Sequence, residues 1–237
     1  SWSMAPGHHP APAPGWPQWL VALGLVCLPG AGAATASAQT SANVLLVINE
    51  ASPASVEIGE YYASIRQVPA ANVARLKTPT TDGISTAEFE QTIERPLGDW
   101  LSKHDLQDQV LYIVLTKGVP LRIDGTQGLN GTLASVDSEL TLLYKRLLGL
   151  PAPALGRVDN PLFLADRPIA EATPFTRLES DLYLVTRLDG FSVADVRALI
   201  ERGLSPSREG RIVLDQRASL IDRGGDHWLQ LAADRLE

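Results

Sequence analysis

Strands alternating with amphipathic helices along most of the chain predict an α/β domain, three layers deep (αβα), around a mostly parallel sheet. Two observations carry this. Short apolar runs, clearest over residues 110–115, have the length of a buried strand. Between them lie stretches whose apolar residues recur three and four positions apart, several opened by helix-start signals. Such a succession folds most simply into crossovers between parallel neighbours. The chain shows no internal repeat and no coiled-coil heptads.

Residues 43–49 are the expected first strand. Ser52-Pro53 follows as an N-cap with proline at the first helical position. It opens a helix to about Gln67 that is expected to bury Val56, Tyr61, Tyr62 and Ile65. Residues 72–77 make a second strand of thin apolar content. Ser85-Thr-Ala-Glu88 is a capping box, opening a helix that carries Phe89, Ile93, Leu97, Trp100 and Leu101 on one face. Pro96 lies inside that pattern and is expected to kink or split the helix, because its ring removes a hydrogen bond and clashes with the preceding turn. Residues 110–115 are the next strand. Residues 135–148 form an amphipathic helix that gives way to a Pro- and Gly-rich loop over 149–161. A strand over 181–186, a helix from the Ser192-Val-Ala-Asp195 cap to about Gly203, a strand over 211–214 and a helix over 227–236 complete the pattern. The last helix stops without a capping glycine, so the domain reads as continuing past Glu237.

Ser1 to Ala42 contains no Asp, Glu, Lys or Arg. Its apolar run over 19–28, about ten residues, is too short to span a bilayer as a helix. Ala36-Ser37-Ala38 reads as a cleavage site before Gln39, although only His8 and His9 stand where a positive n-region belongs. Residues 1–42 are therefore expected to be a signal peptide and a disordered N-terminal segment. Export to the periplasm or beyond would follow cleavage near Ala38. The single cysteine, Cys27, lies in this leader behind Val26 rather than a small residue, which speaks against lipidation. Residues 43–237, enough for one sizeable domain, carry no cysteine, so disulfides, a cysteine-based zinc site and a cysteine nucleophile are excluded there. No apolar run of about 18 residues occurs, so no integral membrane segment is expected. The formal net charge of -7 is spread along the chain without a basic stripe, which argues against nucleic acid as a partner.

Ligands of open α/β sheets bind outside the carboxyl ends of the strands, so polar phrases at such ends mark the candidate site. In Thr116-Lys-Gly-Val-Pro120, Lys117 and the later Arg122 could bind an anionic group. Alternatively, Gly118 and Pro120 shape a tight exit from the sheet and both cations are solvated. The chain has neither G-x-x-x-x-G-K-[ST] nor G-x-G-x-x-G. Ser135-Val-Asp-Ser-Glu-Leu140 places Ser135 as an N-cap, with Asp137 and Glu139 favourable to the positive end of the helix dipole. As a general base or metal ligands those carboxylates would diverge by about 200° around the helix, so they do not share one ion. No metal or cofactor is expected. In Thr186-Arg-Leu-Asp-Gly190, Arg187 and Asp189 pair with each other or hold the loop beside Lys117, and Asp215 with Arg217 repeats the arrangement. Asn49, Ser52 and Ser55 are turn formers and caps, or members of the same crevice. His104 and His227 lack ligand spacing, and no G-x-S-x-G elbow occurs. The expected ligand-binding set is Asn49, Ser55, Lys117, Arg122, Asp137, Arg187, Asp189 and Asp215. No catalytic residue is identified.

Several phrases, taken in order, resemble an uncharacterised family of secreted bacterial proteins, a domain of unknown function. They are Asn49 with Ser55, Tyr61-Tyr62, Arg66 with Pro69, and Leu115-Thr-Lys-Gly-Val-Pro-Leu-Arg122. Ser135-Val-Asp-Ser-Glu-Leu140, Asn160-Pro161, Leu184-Val-Thr-Arg-Leu-Asp-Gly190 and Asp215 continue the match over nearly all of the chain from Asn43. The resemblance implies export and a further C-terminal part rich in Gly, Ala and small polar residues. It implies no reaction. The alternation is also loosely similar to the caspase-like fold of secreted bacterial cysteine peptidases, so a flavodoxin-like or caspase-like strand order is expected. The chain departs from the peptidase pattern in lacking a His-Gly motif and a cysteine after its central strands, and fold alone licenses no activity. The functional expectation is an exported protein that binds a ligand or protein partner in a polar crevice at the strand ends. The alternative is a hydrolase-like enzyme whose remaining catalytic groups lie beyond Glu237.

Overall fold

The computed structural model describes residues 39–124, 134–152, 158–207, 209–216 and 224–236. The expected leader, its cleavage site and Cys27 lie outside the described residues, as does Arg217. Seven strands are described: β1 (Val44–Asn49), β2 (Val73–Leu76), β3 (Gly83–Ser85), β4 (Tyr112–Thr116), β5 (Arg122–Asp124), β6 (Ala134–Ser135) and β7 (Leu184–Leu188). The main sheet has the order β2-β1-β4-β7, every neighbour parallel. Counted along the chain this is 2-1-3-4, the start of the flavodoxin-like order. A second sheet, β3-β5-β6, pairs β3 and β5 parallel and β5 and β6 antiparallel.

Helices cover both faces of the main sheet. They are α1 (Pro53–Arg66), α2 (Thr86–Phe89), α3 (Arg95–Lys103), α4 (Val136–Thr141), α5 (Leu143–Leu147), α6 (Val193–Arg202) and α7 (Gly224–Leu236). On one face Phe89, Leu97, Leu101, Val136, Leu140 and Leu143 pack against Leu45, Val47, Ile113 and Leu115. On the other, Ile58, Val196 and Ile200 of α1 and α6 pack against Leu46, Ile48, Val114 and Leu188. The continuous apolar run of β1 is thus divided residue by residue between two cores, as expected of a parallel strand buried on both faces. The architecture is a three-layer αβα domain. No described helix is long and apolar enough to cross a membrane.

Local sequence explains most boundaries. Ser52 caps α1 with its side chain, and Ser85–Glu88 and Ser192–Asp195 are reciprocal capping boxes. The inward face of α1 is centred a little away from the expected residues, of which Val56, Tyr61 and Tyr62 still pack against the core. Ser55, Ile58 and Gly59 are buried, while Val56, Tyr61 and Tyr62 are half-buried and Ile65 is exposed. Gly59 decides this: a Cβ there would stand 2.4 Å from Ile48 Cγ1, so the helix lies closest to β1 along that line. Pro96 splits its helix as expected, by way of a π-helical stretch over Glu90–Glu94 that restarts as α3. Such a wide turn shifts the carbonyls that a proline ring would otherwise strike.

The helix expected over 135–148 is broken at Leu142, because Tyr183 N–H takes the Thr141 carbonyl at 3.1 Å. The strand expected over 181–186 lies at 184–188, so Arg187 and Leu188 are inside β7 rather than past it. No strand forms over 211–214. Ile212 and Val213 are 70% and 83% exposed, and three apolar residues after Arg211 hold no strand without neighbours to complete their hydrogen bonds.

Candidate functional site

The carboxyl ends of β1, β4 and β7 share one rim, with Val47 level with Leu115, and Thr116 with Leu188. Asn49, Ser55, Lys117, Arg187 and Asp189 gather there, and Asp137 joins from the first turn of α4. In this strand order the crevice falls between β1 and β4, where the chain order reverses. Asn49 fills it. Its fully buried side chain donates from Nδ2 to the carbonyls of Gly118 at 2.7 Å, Thr78 at 3.0 Å and Pro79 at 3.4 Å. Its Oδ1 accepts from the N–H groups of Ala51 at 3.1 Å and Thr78 at 3.3 Å. One amide therefore ties the loops that leave β1, β2 and β4.

Beneath it runs a directed chain of hydrogen bonds. Asn49 N–H donates to Ser55 Oγ at 2.7 Å, and Ser55 to Thr116 Oγ1 at 2.5 Å. Thr116 in turn donates to the Val47 carbonyl at 2.9 Å. The direction follows because an amide N–H only donates and a carbonyl only accepts. The protons of Ser55 and Thr116 are thus committed, so neither hydroxyl is poised as a nucleophile. Gly118 adopts φ +93°, and a Cβ there would lie 2.3 Å from Ser52 Oγ. It forms the tight exit from β4 that its sequence suggests.

Arg187 is clamped rather than free. With an 11% exposed side chain, it donates from Nη1 to the Val119 carbonyl at 2.7 Å and from Nη2 to the Pro120 carbonyl at 3.0 Å. Nε and Nη2 also grip the Asp137 carboxylate at 3.3 and 2.5 Å. Its partner is therefore Asp137, not Asp189. Lys117 takes Asp189 at 2.8 Å and the Gly190 carbonyl at 2.7 Å. Burial pushes the Asp189 carboxyl up, but Lys117, the Gly190 N–H and Arg187 together outweigh it and hold the group below the usual range. Arg122 belongs instead to the small sheet, exposed and 3.1 Å from Asp124. Asp215 stands exposed outside any strand, since the segment before it does not join the sheet.

A second polar region lies on the flank of the sheet. A cavity of ≈ 380 Å³ is lined by α4, the start of α5, residues 158–161 and Leu182. Leu142 and Leu182 form its floor, buried yet outside both core clusters. Val158 and Pro161 add apolar wall, and Ser138, Glu139, Thr141, Lys145, Asp159 and Asn160 supply polar groups. Two of the phrases quoted above, Ser135 to Leu140 and Asn160-Pro161, meet here. Their separation in sequence gave no sign of it.

Glu139 is 7% exposed. Burial pushes its carboxyl up; Arg146 opposes this, and the charge of Glu94 adds to it. Arg146 stands between the two carboxylates, 2.5 Å from Glu94 and in close contact with Glu139. Lys145 pairs with Asp181 at 3.2 Å. Asn160 uses its Oδ1 to accept the Leu162 N–H at 2.9 Å, which leaves its amide nitrogen without a partner among the described residues. Arg177 fixes the segment that carries Leu182. Its guanidinium lies 3.7 Å from the Tyr144 ring centroid and 5.0 Å from that of Tyr183, and donates to the carbonyls of Ser180, Leu182 and Val110. No group of three or more His, Cys, Asp or Glu side chains able to hold a metal ion occurs among the described residues.

No protein-family model, no curated protein and no solved structure matches this chain.

Proposed function

We propose that the chain is an exported protein whose α/β domain binds a small ligand, without chemistry of its own, in the cleft beside α4 and α5. One contrast carries the reading. At the strand ends, the side-chain donors of Asn49, Ser55, Thr116 and Arg187 are engaged by the protein itself. In the cleft, polar groups face ≈ 380 Å³ of space above an apolar floor. Small-molecule sites combine these features: a largely apolar lining, a few placed polar groups, and a volume of about 300–1,000 Å³.

A hydrolase reading has one observation in its favour. A carboxyl raised by burial, as Glu139 is, suits a general acid. Turnover of ester, peptide or glycoside substrates that disappears in Glu139→Gln would establish it over binding alone.

The binding reading is tested by thermal unfolding against a fragment library, with Ser138→Trp as the cleft-filling control. A ligand at about a hundred times its Kd adds about 2.7 kcal/mol, which raises Tm by about 5–10 °C for a domain of this size. Saturable shifts in the wild type that vanish in Ser138→Trp support the reading. A library in which no shift depends on Ser138 overturns it.

A further inference from the structure

The charge of the cleft indicates what it holds. Resting on the reading above, we infer that the ligand is a small organic cation, an ammonium group on an apolar body. The charged groups around the cleft are Glu139 on α4, Lys145 and Arg146 on α5, Glu94 on the π-helical stretch, Asp181 before β7, and Asp159. Lys145 and Asp181 neutralise each other at 3.2 Å, and Asp159 has an interaction of its own. There remain two carboxylates, Glu94 and Glu139, on the single guanidinium of Arg146. Among the described groups, negative charge around the cleft is therefore in excess, part of it at a place where low dielectric makes it costly.

Two things can offset that charge. In the empty cleft a proton on Glu139 can do so, and burial, which pushes that carboxyl up, favours it. In the occupied cleft the ammonium does, and any such proton leaves for solvent. The Glu139 carboxylate and the lone pairs of Thr141 Oγ1, whose own proton goes to the Asp137 carbonyl at 3.1 Å, are the acceptors. Leu142, Leu182, Val158 and Pro161 meet the apolar body. An anion finds less: among the described residues Lys145 is the only cation lining the cleft, and Asp181 holds it. A bare metal ion would find no cage of three ligating side chains among the described residues and would gain nothing from the leucine floor.

The test is isothermal titration of the purified chain with n-alkylammonium ions of increasing length and with n-alkyl carboxylates of matching length. Each ammonium is measured in two buffers of different ionisation enthalpy. Ammonium ions are expected to bind, about fourfold more tightly per added methylene, as burial of one CH₂ implies. Their binding releases whatever proton Glu139 holds in the empty cleft. Glu139→Gln should weaken binding at least tenfold and abolish the buffer dependence. Thr141→Val should weaken it severalfold, which keeps the test decisive if the first variant does not fold. If carboxylates bind as well as ammonium ions or better, with an effect lost in Ser138→Trp, the cation inference fails and the binding reading stands. If neither series binds and no other fragment responds to Ser138→Trp, both fail.

Discussion

Asn49→Asp is nearly isosteric and reverses the polarity of the plug at the strand ends. The amide now donates to the carbonyls of Gly118 and Thr78 at 2.7 and 3.0 Å, with Pro79 more distant at 3.4 Å. A carboxylate has no donor, so these carbonyls lose their partner and face a negative charge in a fully buried place. Leaving a buried polar group unsatisfied costs about 1–3 kcal/mol. Two well-made bonds lost therefore imply about 2–6 kcal/mol, a large part of the roughly 5–15 kcal/mol that stabilises a domain. The sign with pH follows from the same contacts. Burial and the carbonyls raise the folded pKa of the introduced Asp above its unfolded value of about 3.9. The protonated form restores one donor. The variant is therefore most stable below the unfolded pKa and loses stability as pH rises through the raised folded one. Urea midpoints for wild type and variant, with m unchanged, should show a wide gap at about pH 7 that narrows towards about pH 4. A variant within about 1 kcal/mol of wild type at about pH 7, or a gap independent of pH, would refute the role assigned to this amide.

Four further variants have expected outcomes. Arg187→Ala should cost about 3 kcal/mol in urea unfolding, the low end for a broken buried pair because Asp137 is 32% exposed. Lys117→Ala should cost only about 0–1 kcal/mol, since Lys117 and Asp189 are 33% and 38% exposed; equal costs would contradict this division. Gly118→Ala should lose at least about 2 kcal/mol, from φ +93° and from the 2.3 Å approach of its Cβ to Ser52 Oγ, with partial recovery in Ser52→Gly. Without recovery, the close approach is not the cause. For Glu139 the folded pKa lies above the unfolded one of about 4.3, so its stabilisation is present below that value and lost as pH rises through the raised one. Glu139→Gln does not titrate and should gain on wild type over that window; a constant difference in midpoint across pH would count against the raised carboxyl.

The layers were legible because their signals are local. The run over 44–48 is apolar at successive positions, which fits a strand buried on both faces, and the caps at Ser85 and Ser192 close within three residues. The small sheet was not, since strands of two or three residues such as β5 and β6 carry no period and exist only through their partners. Spacing found Val56, Tyr61 and Tyr62, which pack against the core at partial burial, but missed the centre of the inward face, because a glycine, which contributes no apolar signal, sets the contact with Ile48. Arg187 had Asp189 two positions away and pairs with Asp137 fifty positions away, a choice made by packing alone. The segment over 211–214 reads as a strand from Ile212-Val-Leu214 and has no neighbour to make it one. The polar rim was legible as a meeting of strand ends. Its saturation was not, because the partners of Asn49 lie 29 and 69 residues away.

That saturation bears on where binding can occur. A parallel sheet leaves a gap where its chain order reverses, and many proteins of this topology use the gap as their site. Here the gap between β1 and β4 is closed by a side chain whose five hydrogen bonds hold three loops, so a ligand could enter only by breaking the fold's own lock. The opening lies instead where the helix after β6 is interrupted. Tyr183 N–H, at the entry to β7, takes the Thr141 carbonyl from the helix and so separates α4 from α5. Leu142 at the break and Leu182 beside Tyr183 are the two leucines that floor the cavity. A single backbone contact thus interrupts the helix and joins the cavity floor, which makes the cleft a consequence of how the sheet receives its last strand.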